Sequence, residues 1–205
     1  MYLNKRIEAT KREVLRITID FLKHLPDAEL RITDICEQAE MSQTIIYSYF
    51  DSREGLIDAA YLEIFNHQSE IISEISCELL SLDLTPPLKL SNFMNDKLIN
   101  HFVQQGGSRE LRIRIYARAV SRPVFARKIK EARERHYVHL LEKITTQFPD
   151  RKLFITNDAV LAAASVFDTL QTSRSLYEMI FDASSESNML EIAVHALNVV
   201  DQAHR

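Results

Sequence analysis

Glycine is nearly missing: the 205-residue chain has three, far below ordinary usage. From Gly55, Gly106 and Gly107 no GxGxxG or Walker-type phosphate loop can be written. A β-rich fold with many hairpins would also lack its turn residues. Cysteine is almost as scarce. Cys36 and Cys77 fall on predicted helix faces, which reads as free thiols in a reducing cytoplasm rather than a disulfide framework. Long apolar runs are absent too. The longest, Ala159 to Phe167, ends at Asp168 and is too short to span a bilayer, and the opening MYLNKRIEATKR holds no signal-peptide core. A cytoplasmic protein without membrane contact is expected. Excess positive charge is the last absence: the net charge is −4, and residues 1–56 hold eight Lys/Arg against ten Asp/Glu.

What remains is a helical pattern. Hydrophobic residues make up 46% of the chain, enough for a real core, and the few prolines and glycines punctuate it. Pro26 closes a first helix with the stripe Val14, Ile17, Phe21, Leu22 and Leu25. Ser52 caps a long helix carrying Leu56, Ala60, Ile64, Ile71, Ile75 and Leu79. Pro86 and Pro87 open an element with Leu90, Phe93, Met94, Leu98 and Phe102 at helical period, which Gly106 and Gly107 stop. Ser121, Arg122 and Pro123 form a cap and first turn for a helix bearing Phe125, Ile129, Leu140, Leu141 and Ile144. Asn157 or Asp158 starts a segment through about Phe181, and a last helix runs from about Ser187 to Asp201. The expectation is all-α, with nine helices.

The stretch from Arg31 to Leu62, RITDICEQAEMSQTIIYSYFDSREGLIDAAYL, is the most informative. Ile32, Ile35, Cys36 and Ala39 make one apolar face at i, i+3, i+4, i+7. Met41 interrupts it and Ser42 is an N-cap for a new helix. In that helix Ile45, Ile46 and Phe50 are read as the buried side, with Gln43, Thr44, Tyr47 and Ser48 outward. A short exposed helix braced by the one before it is the arrangement that enters a DNA major groove.

Residues from about 12 to 62 resemble the DNA-binding domain of the TetR/AcrR family of bacterial one-component transcriptional regulators. Ile17 and Phe21, then ITDICEQAEMS, then TIIYSYFDSREGL carry the resemblance, above all the run Tyr47-x-Tyr49-Phe50-x-Ser52-Arg53-Glu54-x-Leu56. Two positions depart from the family pattern: Arg31 stands where Ser or Thr is usual, and Glu40 where the turn usually has glycine. The resemblance implies a helix-turn-helix domain over residues 1–52 and a helical effector-binding and dimerisation domain over residues 53–205. It also implies homodimerisation through the last two long helices, where Phe167, Leu170 and Leu197 are the expected seam; packing within the monomer is the alternative. No cofactor and no catalytic residue are implied.

Several constellations bear on function. Gln43 and Thr44 are the candidates for base contact, since Gln pairs bidentately with adenine and a Thr methyl can meet a thymine methyl. Tyr47 and Tyr49 are candidates for phosphate, Tyr49 alternatively for the core. Ser48 is exposed without an assigned role, and Arg53 would neutralise a phosphate. Lys5, Arg6, Lys11 and Arg12 read as a solvated, mobile basic arm ahead of the first helix, or alternatively as contacts to the minor groove or an outer phosphate. The acids Asp20, Asp27, Glu29 and Glu37 are free to face away from DNA. Residues 109–135 hold ten Lys/Arg against three Glu, with Arg114, Arg118 and Arg122 at i, i+4, i+8. That stripe is either an anion site or a solvated basic face. Together with Phe93, Met94, Leu98, Phe102, Tyr116 and Phe125, Arg118 is placed in the wall of an effector cavity. His136, His139 and Glu142 share a face but lack the motif of a metal site, and no nucleophile sits in an activating motif. The expected function is a repressor that an unidentified small molecule releases from operator DNA. The rivals are a helical binding or scaffolding protein with a head that does not read DNA, and an all-α enzyme.

Overall fold

The computed structural model describes residues 2–81, 104 and 106–147. Among them the ordered elements are all α-helical: α1 (Tyr2–His24), α2 (Ile32–Gln38), α3 (Gln43–Phe50), α4 (Arg53–Ser81), α5 (Arg109–Ser121) and α6 (Pro123–Gln147). Phe93, Met94, Leu98, Phe102, Phe167, Leu170 and Leu197, and three of the nine expected helices, lie outside the described residues.

The first helix buries Val14, Ile17 and Leu22 and covers its solvent side with ionic pairs one turn apart, Arg16 to Glu13 and Asp20, and Lys23 to Asp20. It begins at Tyr2, so Lys5, Arg6, Lys11 and Arg12 lie on its backbone. The expected mobile arm is a continuation of the helix. Thr18 is buried mid-helix, its hydroxyl donating to Val14 O at 2.8 Å, which removes the cost of burying it.

Helix α2 ends in a hydrogen-bond pattern that usually calls for glycine. Glu40 N donates to Glu37 O and Met41 N to Cys36 O, the paired bonds of a Schellman close. Glu40 takes the left-handed conformation this requires, with φ 52. Ser42 then caps α3, its hydroxyl accepting from Ile45 N at 3.4 Å. At the far end Asp51 has φ 65 and ψ −39, and Ser52 N donates back to Phe50 O at 2.7 Å. This is a γ-turn of the rare positive-φ kind. Ser52 Oγ accepts from Gly55 N at 3.0 Å, so α4 starts at once. Gly55 is required by close approach: a Cβ there would sit 2.0 Å from Phe50 O.

Helix α4 has 29 residues, about 43 Å at the α-helical rise. It packs against α1, α3, α5 and α6. Ser108 caps α5 by accepting from Leu111 N at 3.2 Å, and Pro123 occupies the first position of α6, where its missing N–H is harmless. Val14, Ile17, Ile46, Phe50, Leu56, Tyr61, Phe65, Ile115, Phe125 and Ile129 belong to one continuous buried cluster. The core therefore runs from α1–α3 into α5 and α6 without a break. No described helix is long and apolar enough to cross a membrane.

Candidate nucleic-acid interface and its attachment

The outward face of α3 is built by elimination. Ile46 and Phe50 are buried, and with about 100° between successive residues the opposite side is Thr44, Ile45 and Ser48. All three are exposed, as is Gln43 in the first turn. Ile45 corrects the expectation that it is buried: it is 45% exposed. Adjacent residues on a helix diverge too far to share one narrow stripe, and Ile46 takes the core position. An apolar side chain thus stands among polar ones where base edges would be met, a sequence signal hidden by reading the Ile-Ile pair as a unit.

Tyr47 and Tyr49 flank that face, half-buried and packed against the core. Tyr49 meets Phe50 edge-on at 6.4 Å between ring centroids, and the Lys11 ammonium lies 5.8 Å over its ring. Lys11 thereby brings a cation from α1 to the edge of α3. The Ser48 hydroxyl donates to Ile45 O at 2.7 Å. Arg53, at the start of α4, is turned inward. Its Nε donates to Leu30 O at 3.0 Å, one terminal nitrogen to Asp27 O, and the other to Glu54 Oε1 at 2.6 Å.

The second polar constellation fastens this head to α5. Arg118 Nε donates to Asp58 Oδ1 at 2.7 Å, Nη1 to Asp27 Oδ2 at 3.2 Å, and Nη2 to Glu54 Oε2 at 2.6 Å and to Glu54 O at 3.1 Å. One guanidinium thus spends four of its five N–H donors on three acidic residues of the head and early α4. Arg114 donates to Leu22 O and Leu25 O at 2.7 and 2.6 Å, and to Asp27 Oδ1 at 3.0 Å. It thereby satisfies carbonyls at the C-terminal end of α1 that the helix itself leaves open. Arg122 grips Asp58 at 3.2 and 3.0 Å. The Tyr61 hydroxyl donates to Asp27 Oδ1, and Arg114 and Arg118 lie over the Tyr61 ring at 5.8 and 6.0 Å.

The electrostatics follow from this crowding. Burial raises the Glu54 carboxyl, but hydrogen bonds and charge from Arg118 and Arg53 outweigh it and leave it below its usual range. Burial likewise opposes the charge on Arg118, and Asp58 and Glu54 more than restore it. Tyr61 is pushed up by burial and by its bond to the Asp27 carboxylate, so the phenol stays protonated.

The arginine stripe is therefore neither a solvated basic face nor an open anion site, and Arg118 stands at this junction rather than on a free cavity wall. Asp27, one of the acids taken as free to face away, is its hub. A signal was present in the sequence. On the α5 wheel Arg118 and Arg122 fall on the same side as Leu111 and Ile115, which are buried, so the stripe lies on the inner face. Tyr61, Glu54 and Asp58 carried no local signal of their partners.

The two other candidate effector residues, on α5 and α6, belong to the same core but differ in access. Phe125 is fully buried, and Tyr116 is half-buried against Phe65 at 6.5 Å. Next to them Arg112 lies over both the Phe65 and Tyr116 rings. Gln68 is fully buried; its Nε2 donates to Ser108 O at 3.1 Å while its Oε1 has no hydrogen-bond partner among the described residues. His136, half-buried, pairs with Asn66 at 3.2 Å, and His139 lies 3.9 Å from Glu142.

No family model matches the chain, and no curated protein does. Among solved structures, one from Mesorhizobium loti MAFF303099, named as a candidate TetR-family transcriptional regulator, is similar over 95% of this chain and 98% of its own. The TM-score is 0.63 and the sequence identity 19%. At that identity the likeness is one of architecture, and it extends well beyond the residues of the head. The chain has the fold of a TetR-family regulator.

Proposed function

We propose that this protein is a sequence-specific DNA-binding transcriptional regulator: a cytoplasmic homodimer that represses by occupying an operator and leaves it when a small molecule binds. The observation that carries this reading is the outward face of α3. Gln43, Thr44, Ile45 and Ser48 stand exposed on a two-turn helix braced from behind by α2 and α4, a shape that fits a major groove. Gln43 would pair with an adenine edge, and the Thr44 and Ile45 methyl groups would meet thymine methyls. Tyr47, Tyr49 and Lys11 at the margin would meet phosphates. Two heads joined through the region of Phe167, Leu170 and Leu197 would reach successive major grooves about 34–36 Å apart.

The effector site would lie between α4 and α5, with Phe93, Met94, Leu98 and Phe102 as the further lining that the sequence suggests. Gln68 Oε1, a buried acceptor without a partner among the described residues, supports a ligand that donates a hydrogen bond there, since such an atom is costly to leave unpaired. Tyr116 and Phe65 supply apolar surface beside it. A ligand that fits only one arrangement of these helices shifts the protein towards that arrangement by its differential affinity.

Selection of duplexes from a random-sequence pool by the full-length chain tests this reading. A recurring two-fold element, bound by wild type and lost on Gln43→Ala, is the expected result. Failure to enrich any sequence favours a second reading, a helical binding protein whose head does not read DNA. The inward-turned Arg53 guanidinium and the negative Glu40 side chain near the reading face are the observations on its side.

A further inference from the structure

We propose that Arg118 and Asp27 are positioning residues for the recognition helix: they strap α5 to the turn between α1 and α2, so that the attitude of the head follows α5 as well as α4. The proposal rests on the DNA-binding reading for its consequence, though not for its geometry.

Three observations carry it. First, the attachment is directional. Arg114 and Arg118 reach across nearly ninety residues of sequence to Leu22 O, Leu25 O and both oxygens of Asp27, and they are aimed at the segment that ends α1 and leads into α2. Second, that same turn is held from the other side by Arg53, which donates to Asp27 O and Leu30 O. The Asp27 turn is therefore clamped between the first residue of α4 and the middle of α5. Displacement of either helix pulls on the support of α2, and through the α2–α3 close on α3 itself. Third, the contacts are buried and shared among several partners. Arg118 and Asp58 are each 8% exposed, and Arg118 holds Asp58, Glu54 and Asp27 simultaneously. Buried ionic groups of this kind add little net stability over apolar packing, and their attested use is to fix one arrangement among several. A planar guanidinium with a rigid fork of donors suits that task, and a lysine ammonium does not.

The opposite end of α5 completes the argument. Its N-cap residue Ser108 receives the Gln68 amide through its carbonyl, so the helix that grips the head begins at the buried acceptor described above. A shift of α5 along its axis at Ser108 is felt at Arg114, Arg118 and Arg122 as a change in all their hydrogen bonds at once.

The test uses the full-length chain and amide hydrogen exchange read by mass spectrometry, with the variants Arg118→Gln, Asp27→Asn and Arg118→Lys. Arg16→Gln is the control, because Arg16 also bridges two acids, Glu13 and Asp20, on exposed α1 surface with no link to α5. Arg118→Gln and Asp27→Asn are expected to speed exchange across residues 22–50 by about tenfold or more beyond any acceleration in residues 111–147, the signature of a sub-global opening. Arg118→Lys should restore little of the protection, and Arg16→Gln should alter neither region. Equal acceleration in both regions would mean that the cluster only stabilises the whole molecule, and wild-type rates in the head of the folded variants would mean that it positions nothing; either overturns the proposal. Should Arg118→Gln fail to fold, Asp27→Asn, which keeps shape and the Tyr61 acceptor, decides alone. On duplexes selected by wild type, the same variants should keep the half-site bases but accept half-site spacings one or two base pairs off. If wild type selects no duplex, the DNA-binding reading fails while the exchange measurement still decides this one.

Discussion

The outer face of α3 and the inner face of α5 are both polar stripes at helical spacing, and the structure uses them in opposite ways. On α3, Gln43 and Thr44 stand exposed, and Lys11 brings a cation to the margin. On α5, Arg114, Arg118 and Arg122 all bond to carboxylates or carbonyls of the head and early α4. An open stripe has donors and acceptors to offer a partner. A closed stripe has most of its groups engaged within the chain, and its worth lies in the geometry it enforces. Residue type and spacing alone do not separate the two; the position of the apolar residues on the same helix does. Ile46 and Phe50 lie opposite the α3 stripe, whereas Leu111 and Ile115 lie within the α5 stripe.

The largest effect expected from this contrast is on the closed stripe. Arg118→Ala removes the guanidinium that Asp27, Glu54 and Asp58 share, leaves the buried Asp58 to Arg122 alone, and should cost about 3 kcal/mol of unfolding free energy. Ser48→Ala on the open stripe should stay within about 0.5 kcal/mol. Denaturant unfolding of the two variants at one pH checks both, and a similar small change for each would erase the distinction.

The open stripe should respond in binding instead. Gln43→Ala is expected to weaken operator binding by about 1–3 kcal/mol per half-site and relax one base position. Ile45→Ala should relax a neighbouring thymine preference by about 1 kcal/mol and leave the salt dependence, which counts phosphates, unchanged. Melting temperatures should stay at wild type in both. Quantitative titrations at several salt concentrations separate these outcomes, and unchanged base preference in both variants removes α3 as the reader.

Much of the frame was legible in the sequence for local reasons. Ser42 and Ser52 cap the helices they precede, Pro123 opens α6, and the absence of glycine at position 40 forces Glu40 into a left-handed turn. Each of these is decided within four or five residues. Ile45 was misplaced because an eight-residue helix offers too few turns for periodicity to say which of two adjacent isoleucines faces inward. Asp27, Tyr61, Glu54 and Asp58 were silent because their partners lie 34 to 91 residues away in the chain. Such pairings exist only after folding.

Glu40 gives a smaller prediction that links the two regions. A left-handed conformation costs a side-chain-bearing residue about 1–2 kcal/mol, while glycine adds about 0.4–1 kcal/mol of unfolded-state freedom. Glu40→Gly should therefore stabilise the chain by about 0.5–1 kcal/mol in thermal unfolding, and the lost negative charge should tighten DNA binding at low salt.

The smallest expected effect is acid sensitivity of the junction. The Glu54 carboxyl is held below its ordinary value by Arg118 and Arg53 against the effect of burial. Its contribution is thus fully present above the unfolded carboxyl's range and is lost as pH falls from about 4.5 through the lower folded value. Because the Glu54 side chain is 42% exposed, solvent screening keeps the effect modest. Glu54→Gln should flatten the fall of stability with acid in this window, and parallel acid curves for wild type and variant would show that Glu54 does not couple to it.

The order in which the junction's parts occur along the chain has a consequence for biosynthesis. Translation runs from the N-terminus, and domains tend to fold as they emerge. Asp27, Glu54, Asp58 and Tyr61 all leave the ribosome before Arg114 and Arg118 are made. The nascent head first forms with Arg53 and Tyr61 of α4 to hold the Asp27 turn, before any arginine of α5 exists to meet Glu54 and Asp58. Only when α5 is complete do the two arginines close a loop of nearly ninety residues and lock the recognition helix in its final attitude. A chain truncated before Arg109 would carry every residue that faces DNA and lack the part that orients them.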